Sequence, residues 1–293
     1  MLENVPDNAG TLKQELHACQ VELITEVCTT TGEAIAARYE RIRHLLGDAA
    51  VTPVAGLHVH IGMPDAETAI RTFNGLREHL PLLNALAANS PFRHGRDTGL
   101  ASAREMTLRS WPRSGVPRAL GDFAEFEQLS ELLCRAAGVE DYTWFWWKLR
   151  PHPQLGTVEV RALDAQTTLE DTAALVALTH CLARHAAESD SGPASPPELL
   201  EEGLFRAARF GTDARLPDAG GRLHDVEELL DNALTRARPY AGELQCEDEL
   251  ATLPDLLARG GGAGRQRGVY EIAGLDALLR ELSAVTGGPS PDR

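Results

Sequence analysis

Residues 57–62 read LHVHIG, an apolar run interrupted at every second position by an imidazole. In an extended chain successive side chains point to opposite faces, so Leu57, Val59 and Ile61 share one face and His58 and His60 the other. One face is built to pack. The other carries two groups able to ligate metal, move protons or donate hydrogen bonds. The plainer alternative is a pair of surface histidines on a half-exposed strand, and the rest of the chain has to decide between them.

Two further stretches repeat the design. CQVELIT (19–25) sets Val21 and Leu23 against Gln20 and Glu22, and GTVEVRALD (156–164) sets Val158, Val160 and Ala162 against Thr157, Glu159 and Arg161. In a single antiparallel sheet, helices would cover the apolar side and the polar sides would meet on one surface. That surface would combine carboxylate, imidazole and guanidinium. Carboxylate oxygens suit Mg²⁺, and arginine matches phosphate or carboxylate in bidentate fashion, so the set fits nucleotide-dependent chemistry. Each member alone has a blander reading: Glu22 as a solvated carboxylate, Glu159 with Arg161 as a same-face ion pair contributing about 0–1 kcal/mol. An H-x-H strand also occurs at zinc and iron sites, but spacing identifies no third ligand here.

Helical patterns surround these strands. TTTGEAIAARYERIRHLL (29–46) has a Thr cap and apolar residues at helical spacing. A second helix opens at Asp65 and carries Ile70, Phe73, Leu76, Leu80 and Leu83 at steps of three or four, with a kink expected at Pro81. Residues 89–115, rich in Gly, Ser, Pro and Arg, read as a long functional loop. A short helix follows at about 123–137. Thr167 with Glu170 forms a capping box for the helix of Leu175, Leu178 and Leu182. Residues 188–197 read as a flexible connector and the remainder as helical, with ARGGGAGRQRG (258–268) as a helix-ending loop, because it matches neither phosphate-binding glycine pattern. The cluster DYTWFWWKLRP supplies core, with Arg150 its member nearest a ligand.

The 293 residues suffice for a large core, and a net charge of −15 argues against a general binder of nucleic acid or anionic membrane; an anionic ligand needs focused arginines or a metal. Five scattered cysteines without a C-x-x-C pair, no secretory signal and no apolar run of membrane-spanning length point to a cytoplasmic protein with reduced thiols.

Five stretches, CQVELITEVCTT, GLHVHIG, ANSPFRHGRDTGLASAR, RPHPQLGTVEVRALD and LLARGGGAGRQR, together resemble the glutamate–cysteine ligase type 2 family of ATP-dependent carboxylate-amine ligases, over about residues 12–285. The resemblance implies an α+β fold: a glutamine-synthetase-like, curved antiparallel sheet with helices on its outer face. It also implies a single catalytic domain over 1–293, mostly helical from about 196. The implied reaction joins an acid such as glutamate to an amine such as cysteine through an acyl phosphate, with ATP and Mg²⁺. The resemblance makes Glu22, His58 and Glu159 metal ligands and puts His58, His60 and Arg161 at the nucleotide phosphates. Arg161 and His58 become the catalytic pair, while Arg104 and Arg150 hold substrate. A homodimer is an admissible assembly.

The chain also departs from the family pattern. It begins after the strand that usually carries a Gly-x-Glu-Glu-Glu-like motif, and only GDAAVTPVA separates the 31–46 helix from LHVHIG. Lys148 stands where an acidic residue is expected. These departures keep open the alternative of a truncated, catalytically impaired homologue acting as a binding or partner subunit.

Overall fold

The computed structural model describes residues 12–14, 21–23, 55–189, 192 and 194–287. Strands β1 (Leu12–Gln14) and β2 (Val21–Leu23) pair antiparallel, with Lys13 opposite Glu22, in a two-stranded sheet of their own. This corrects the expectation of one shared sheet, because β2 hydrogen-bonds to β1 and not to the strand of His58 and His60. The helix expected at 29–46 lies outside the described residues.

LHVHIG becomes β3 (Gly56–Gly62), with alternate residues buried and exposed as its period of two requires. Asp65 then caps α1 (Ala66–Arg77), its carboxylate accepting from the Thr68 amide at 2.7 Å, an N–H that the first helical turn cannot satisfy. The apolar stripe continues past Pro81, but as a second helix rather than a kinked one. His79 precedes α2 (Leu80–Ala87), and Pro81 occupies its first turn, where no helical hydrogen bond is lost.

The expected loop at 89–115 holds more order than its composition suggests. It contains the hairpin β4 (Phe92–Arg93) and β5 (Arg96–Asp97) and the Ser102-capped helix α3 (Ala103–Leu108), all too short to register as periodicity. Helix α4 (Phe123–Ala137) ends at Gly138 in the left-handed region. After β6 (Leu149–His152) and β7 (Thr157–Asp164) comes α5 (Leu169–Glu188). Its cap is Thr168, accepting from the Asp171 amide at 3.0 Å, one residue later than the capping box predicts.

In the connector, Ser195 is anchored rather than loose: its amide and hydroxyl donate to Glu78 at 3.0 and 2.6 Å. The C-terminal part is helical as expected, with α6 (Pro197–Phe210), α7 (Val226–Ala241), α8 (Glu247–Ala251), α9 (Leu253–Ala258) and α10 (Gly261–Gly287). A small hairpin of β8 (Arg215–Pro217) and β9 (Leu223–Asp225) interrupts it. The expected helix-ending loop at 258–268 holds only for Arg259 and Gly260, the turn that follows α9, with Gly260 at φ 79°; α10 opens at once at Gly261, and a Cβ at Gly262 would overlap the Asn89 side chain.

β3, β7 and β6, in that order, form a three-stranded antiparallel sheet. On one face Leu57, Val59, Ile61, Leu149, Val158, Val160 and Ala162 are buried beneath α1, α2 and α5. Each large aliphatic side chain removed from water there contributes about 1.5–3 kcal/mol. Pairs α1 with α5, α2 with α6 and α5 with α7 extend this helical layer. The α+β arrangement of helices and small antiparallel sheets is as expected. The broader, curved sheet implied by the resemblance is not assembled among the described residues.

Candidate active site

The opposite face of the three-stranded sheet is polar because the strand period leaves it no choice. Burying the apolar set turns His58 and His60 of β3, Arg150 and His152 of β6, and Thr157, Glu159 and Arg161 of β7 the other way. Register does the rest: Glu159 lies opposite His60 on one side and opposite Arg150 on the other. A shift in the β3–β7 register between Leu57 and Val59 leaves His58 without a direct cross-strand partner.

Glu159 is the centre of the group and is 2% exposed. Arg150 Nε donates to its Oε2 at 2.6 Å, and Arg161 Nη1 donates to Oε1. His58 Nδ1 and His60 Nε2 each stand 3.5 Å from Oε1. Arg150 is fixed further by the carbonyls of Thr143 and Phe145, at 2.9 and 3.1 Å. His60 Nδ1 meets Thr157 Oγ1 at 3.0 Å. The two imidazoles keep 31% and 35% of their side-chain surface, so the group opens to solvent on the β3 side.

Protonation follows from these contacts. Burial alone would raise the Glu159 carboxyl, but the hydrogen bond from His60 and the charges of Arg161 and Arg150 hold it well below the usual carboxylate range. Burial, then Arg161, pushes the His58 imidazole down to about 3 against the pull of Glu159. His58 is therefore neutral near pH 7.

Arg104 approaches from α3 and is 3% exposed. Its Nη2 donates to the Arg161 carbonyl at 3.1 Å, and its Nη1 lies 3.7 Å from Asp164 Oδ1. The guanidinium packs so close to Gly56 that a Cβ there would collide with it. Nε and Nη1 have no hydrogen-bond acceptor. Asp164 secures the segment that delivers Arg104, accepting from the Asn89 amide at 3.0 Å, Ser90 Oγ at 2.8 Å and Ser102 Oγ at 2.9 Å. Beside Arg104, Glu105 meets the buried ammonium of Lys148 at 2.5 Å.

Of the residues singled out in the sequence, His58, His60, Arg150, Glu159 and Arg161 come together directly, and Arg104 joins them through the Arg161 backbone. Glu22 lies on β2, and its side chain falls outside the described residues. Sequence reasoning missed His152, Tyr142 and Asp164. His152 Nδ1 lies 3.2 Å from the Tyr142 hydroxyl, and its ring stands edge-on to His60 at 5.6 Å between centroids. Alternation from Arg150 along LRPH would have found His152, had Pro151 not argued against a strand. Asp164 falls on the apolar parity of β7, but the register shift between Leu57 and Val59 turns it: beyond the shift Leu163 faces Leu57 and Asp164 faces Gly56, on the side of His58 and His60.

As a place for a cation the described set fits poorly. No three His, Cys, Asp or Glu side chains among the described residues are arranged to hold a metal ion, and both oxygens of Glu159 already face guanidinium groups. For a phosphate or carboxylate the donor set fits better, since Arg161 gives Glu159 one nitrogen and keeps further N–H groups at the partly open edge.

A family described as "Glutamate-cysteine ligase family 2(GCS2)" matches residues 47–273. The chain is 41% identical over 246 residues to "Putative glutamate–cysteine ligase 2-1" of Rubrobacter xylanophilus, covering 81% of this chain and 65% of that protein. It is 44% identical to "Putative glutamate–cysteine ligase 2-3" of the same organism, covering 85% and 69%. The chain thus spans about two thirds of the length of these relatives. Among solved structures, a bifunctional glutathione synthetase from Pasteurella multocida aligns with 91% of this chain and 36% of its own, at 17% identity and a TM-score of 0.47.

Proposed function

Because the chain belongs to glutamate-cysteine ligase family 2, we propose that it is an ATP-dependent carboxylate-amine ligase, acting in the cytoplasm on an amino acid such as glutamate and an amine such as cysteine. The observation that carries this reading is the convergence of His58, His60, Arg150 and Arg161 on the buried carboxylate of Glu159. ATP, when bound, would supply the phosphoryl group that converts the acid to an acyl phosphate, leaving ADP, and the amine would then displace inorganic phosphate and lose a proton to give the amide.

The chain's own residues have distinct parts in this scheme. Arg161, flanked by the open edge of His58 and His60, binds phosphate oxygens and offsets the charge that spreads over them, which is the main catalytic tool in such transfers. The family resemblance gives Arg104 the acid carboxylate, and from its buried place beside Asp164 it also holds the Arg161 backbone carbonyl. Arg150 holds Glu159 in place behind Arg161 and so orients the group from the core side. Neutral His58 is able to accept a proton at the same edge. Mg²⁺ belongs to the reading as the usual companion of a triphosphate, and no step is assigned to it because the described residues form no cage for it.

The alternative of a binding or partner subunit is favoured by one observation, the engagement of Glu159 by two arginines. ADP release separates the two. With ATP, Mg²⁺, an amino acid and an amine, a ligase releases ADP over many turnovers only when acid and amine are both present, whereas a binding subunit releases none.

A further inference from the structure

Glu159 has the surroundings of a counter-ion. Arg150 Nε holds Oε2 at 2.6 Å, and Arg161 Nη1 holds Oε1. Two guanidinium groups therefore face one carboxylate. The neighbouring carboxylates are matched as well, Glu105 by Lys148 and Asp164 by Arg104. A divalent cation entering here has to displace a guanidinium and meets the repulsion of the other. An oxyanion meets the opposite situation. Lys148, Arg104 and Arg150 are 1–7% exposed, whereas 19% of the Arg161 side chain is open, and the two imidazoles that share Glu159 Oε1 with it are more open still. Arg161 gives Glu159 one of its nitrogens, and the rest of its planar fork is able to donate outward. The sheet holds this arrangement rigidly, because the Arg161 amide donates to the Lys148 carbonyl at 2.8 Å and its carbonyl receives Arg104 Nη2.

We propose that the open edge of this face binds an oxyanion, phosphate or carboxylate, directly and without a divalent cation, Arg161 being the contacting group and Glu159 its fixed counter-ion. The inference rests on the ligase reading only for the anions to be tried, a nucleotide triphosphate and an amino acid.

Isothermal titration of the intact chain with ATP and, separately, with L-glutamate, both in excess EDTA, tests it. At least one anion binds, which also tells phosphate from carboxylate as the source. Arg161→Gln weakens that binding by about tenfold, as expected for a charge-assisted hydrogen bond. The same variant, read by Mn²⁺ electron paramagnetic resonance, binds Mn²⁺ more tightly than the wild type, because it frees Glu159. Two results overturn the proposal: no anion bound until Mg²⁺ is added, or an Arg161→Gln protein whose Mn²⁺ affinity does not rise. The wild-type arm in EDTA stands whether or not the variant folds. Absence of amide formation contradicts the ligase reading and leaves this result untouched, while absence of binding in EDTA contradicts the inference alone.

Discussion

Lys148 occupies a position where the family resemblance leads one to expect an acidic side chain, and the fold answers it with Glu105. Their ion pair is 2.5 Å long and almost wholly buried. Burial lowers the Lys148 ammonium from its ordinary value, and Glu105 opposes that shift. Taking two charges out of water is costly, so such a pair adds little net stability, but breaking it strands one charge. Glu105→Ala is expected to destabilise the chain by about 3–5 kcal/mol, and the double change Glu105→Leu with Lys148→Met by far less. Urea unfolding of both variants checks this, and equal losses would count against the pair as described. At this scale the site was largely legible. A period of two places His58 with His60, and Glu159 with Arg161, each on one face of its own strand from sequence alone, and the β3–β7 pairing joins the two faces. The partner that Lys148 finds across 43 positions, and the hold of Asp164 on residues 89–102, arise from tertiary contact and leave no periodic trace.

Among the elements, long amphipathic patterns were the most readable and short ones the least. The stripe from Ile70 to Leu83 is real, but it is shared by α1 and α2, because a proline in a first turn starts a helix as readily as it bends one. The hairpins β4–β5 and β8–β9, of two- or three-residue strands, had no pattern to show. The glycine run at 260–264 was read only in part: Gly260 does close the turn after α9, but from Gly261 on composition suggests a loop, whereas close approach demands the absence of a side chain. Gln266, one turn into α10, donates to the Asn89 carbonyl and side-chain oxygen at 2.8 and 2.7 Å, while Asn89 Nδ2 donates to the Ala165 carbonyl at 2.8 Å. This network docks α10 on the strand end that bears Asp164. Gly262→Ala gains about 1 kcal/mol of helix propensity, yet it must push Asn89 out of these bonds. A net loss of about 1–2 kcal/mol is therefore predicted, in line with other overpacking substitutions. Thermal unfolding of Gly262→Ala checks the sign, and a raised melting temperature would contradict the packing.

For the molecule as a whole, charge governs the response to pH. His58 is held at about 3, by burial and then Arg161, and His79 at about 4, by burial and then Arg236 and His185, against an ordinary value of 6.5. Between pH 6.5 and about 3 the unfolded chain therefore takes up protons at these rings that the folded chain does not. Stability rises with pH across that window and is lost as pH falls through it. Glu159, held below its ordinary value of 4.5, shifts in the same sense and adds to the loss below that pH. The urea midpoint should fall steadily from pH 7 to pH 4, and less steeply in His79→Gln; a midpoint independent of pH would contradict the lowered values of these rings. No helix among the described residues is long and apolar enough to cross a membrane.

The account as a whole stands on Arg161 and its neighbours forming a working ligase centre. Its most direct test is ADP release from ATP and Mg²⁺ with L-glutamate and L-cysteine, in the wild type and in Arg161→Gln. The account predicts turnover that requires both amino acids and falls at least about a hundredfold in the variant, the loss expected when one aligned donor to a transferring group is removed. Turnover that is indifferent to the amine, or equal in the two proteins, would contradict it.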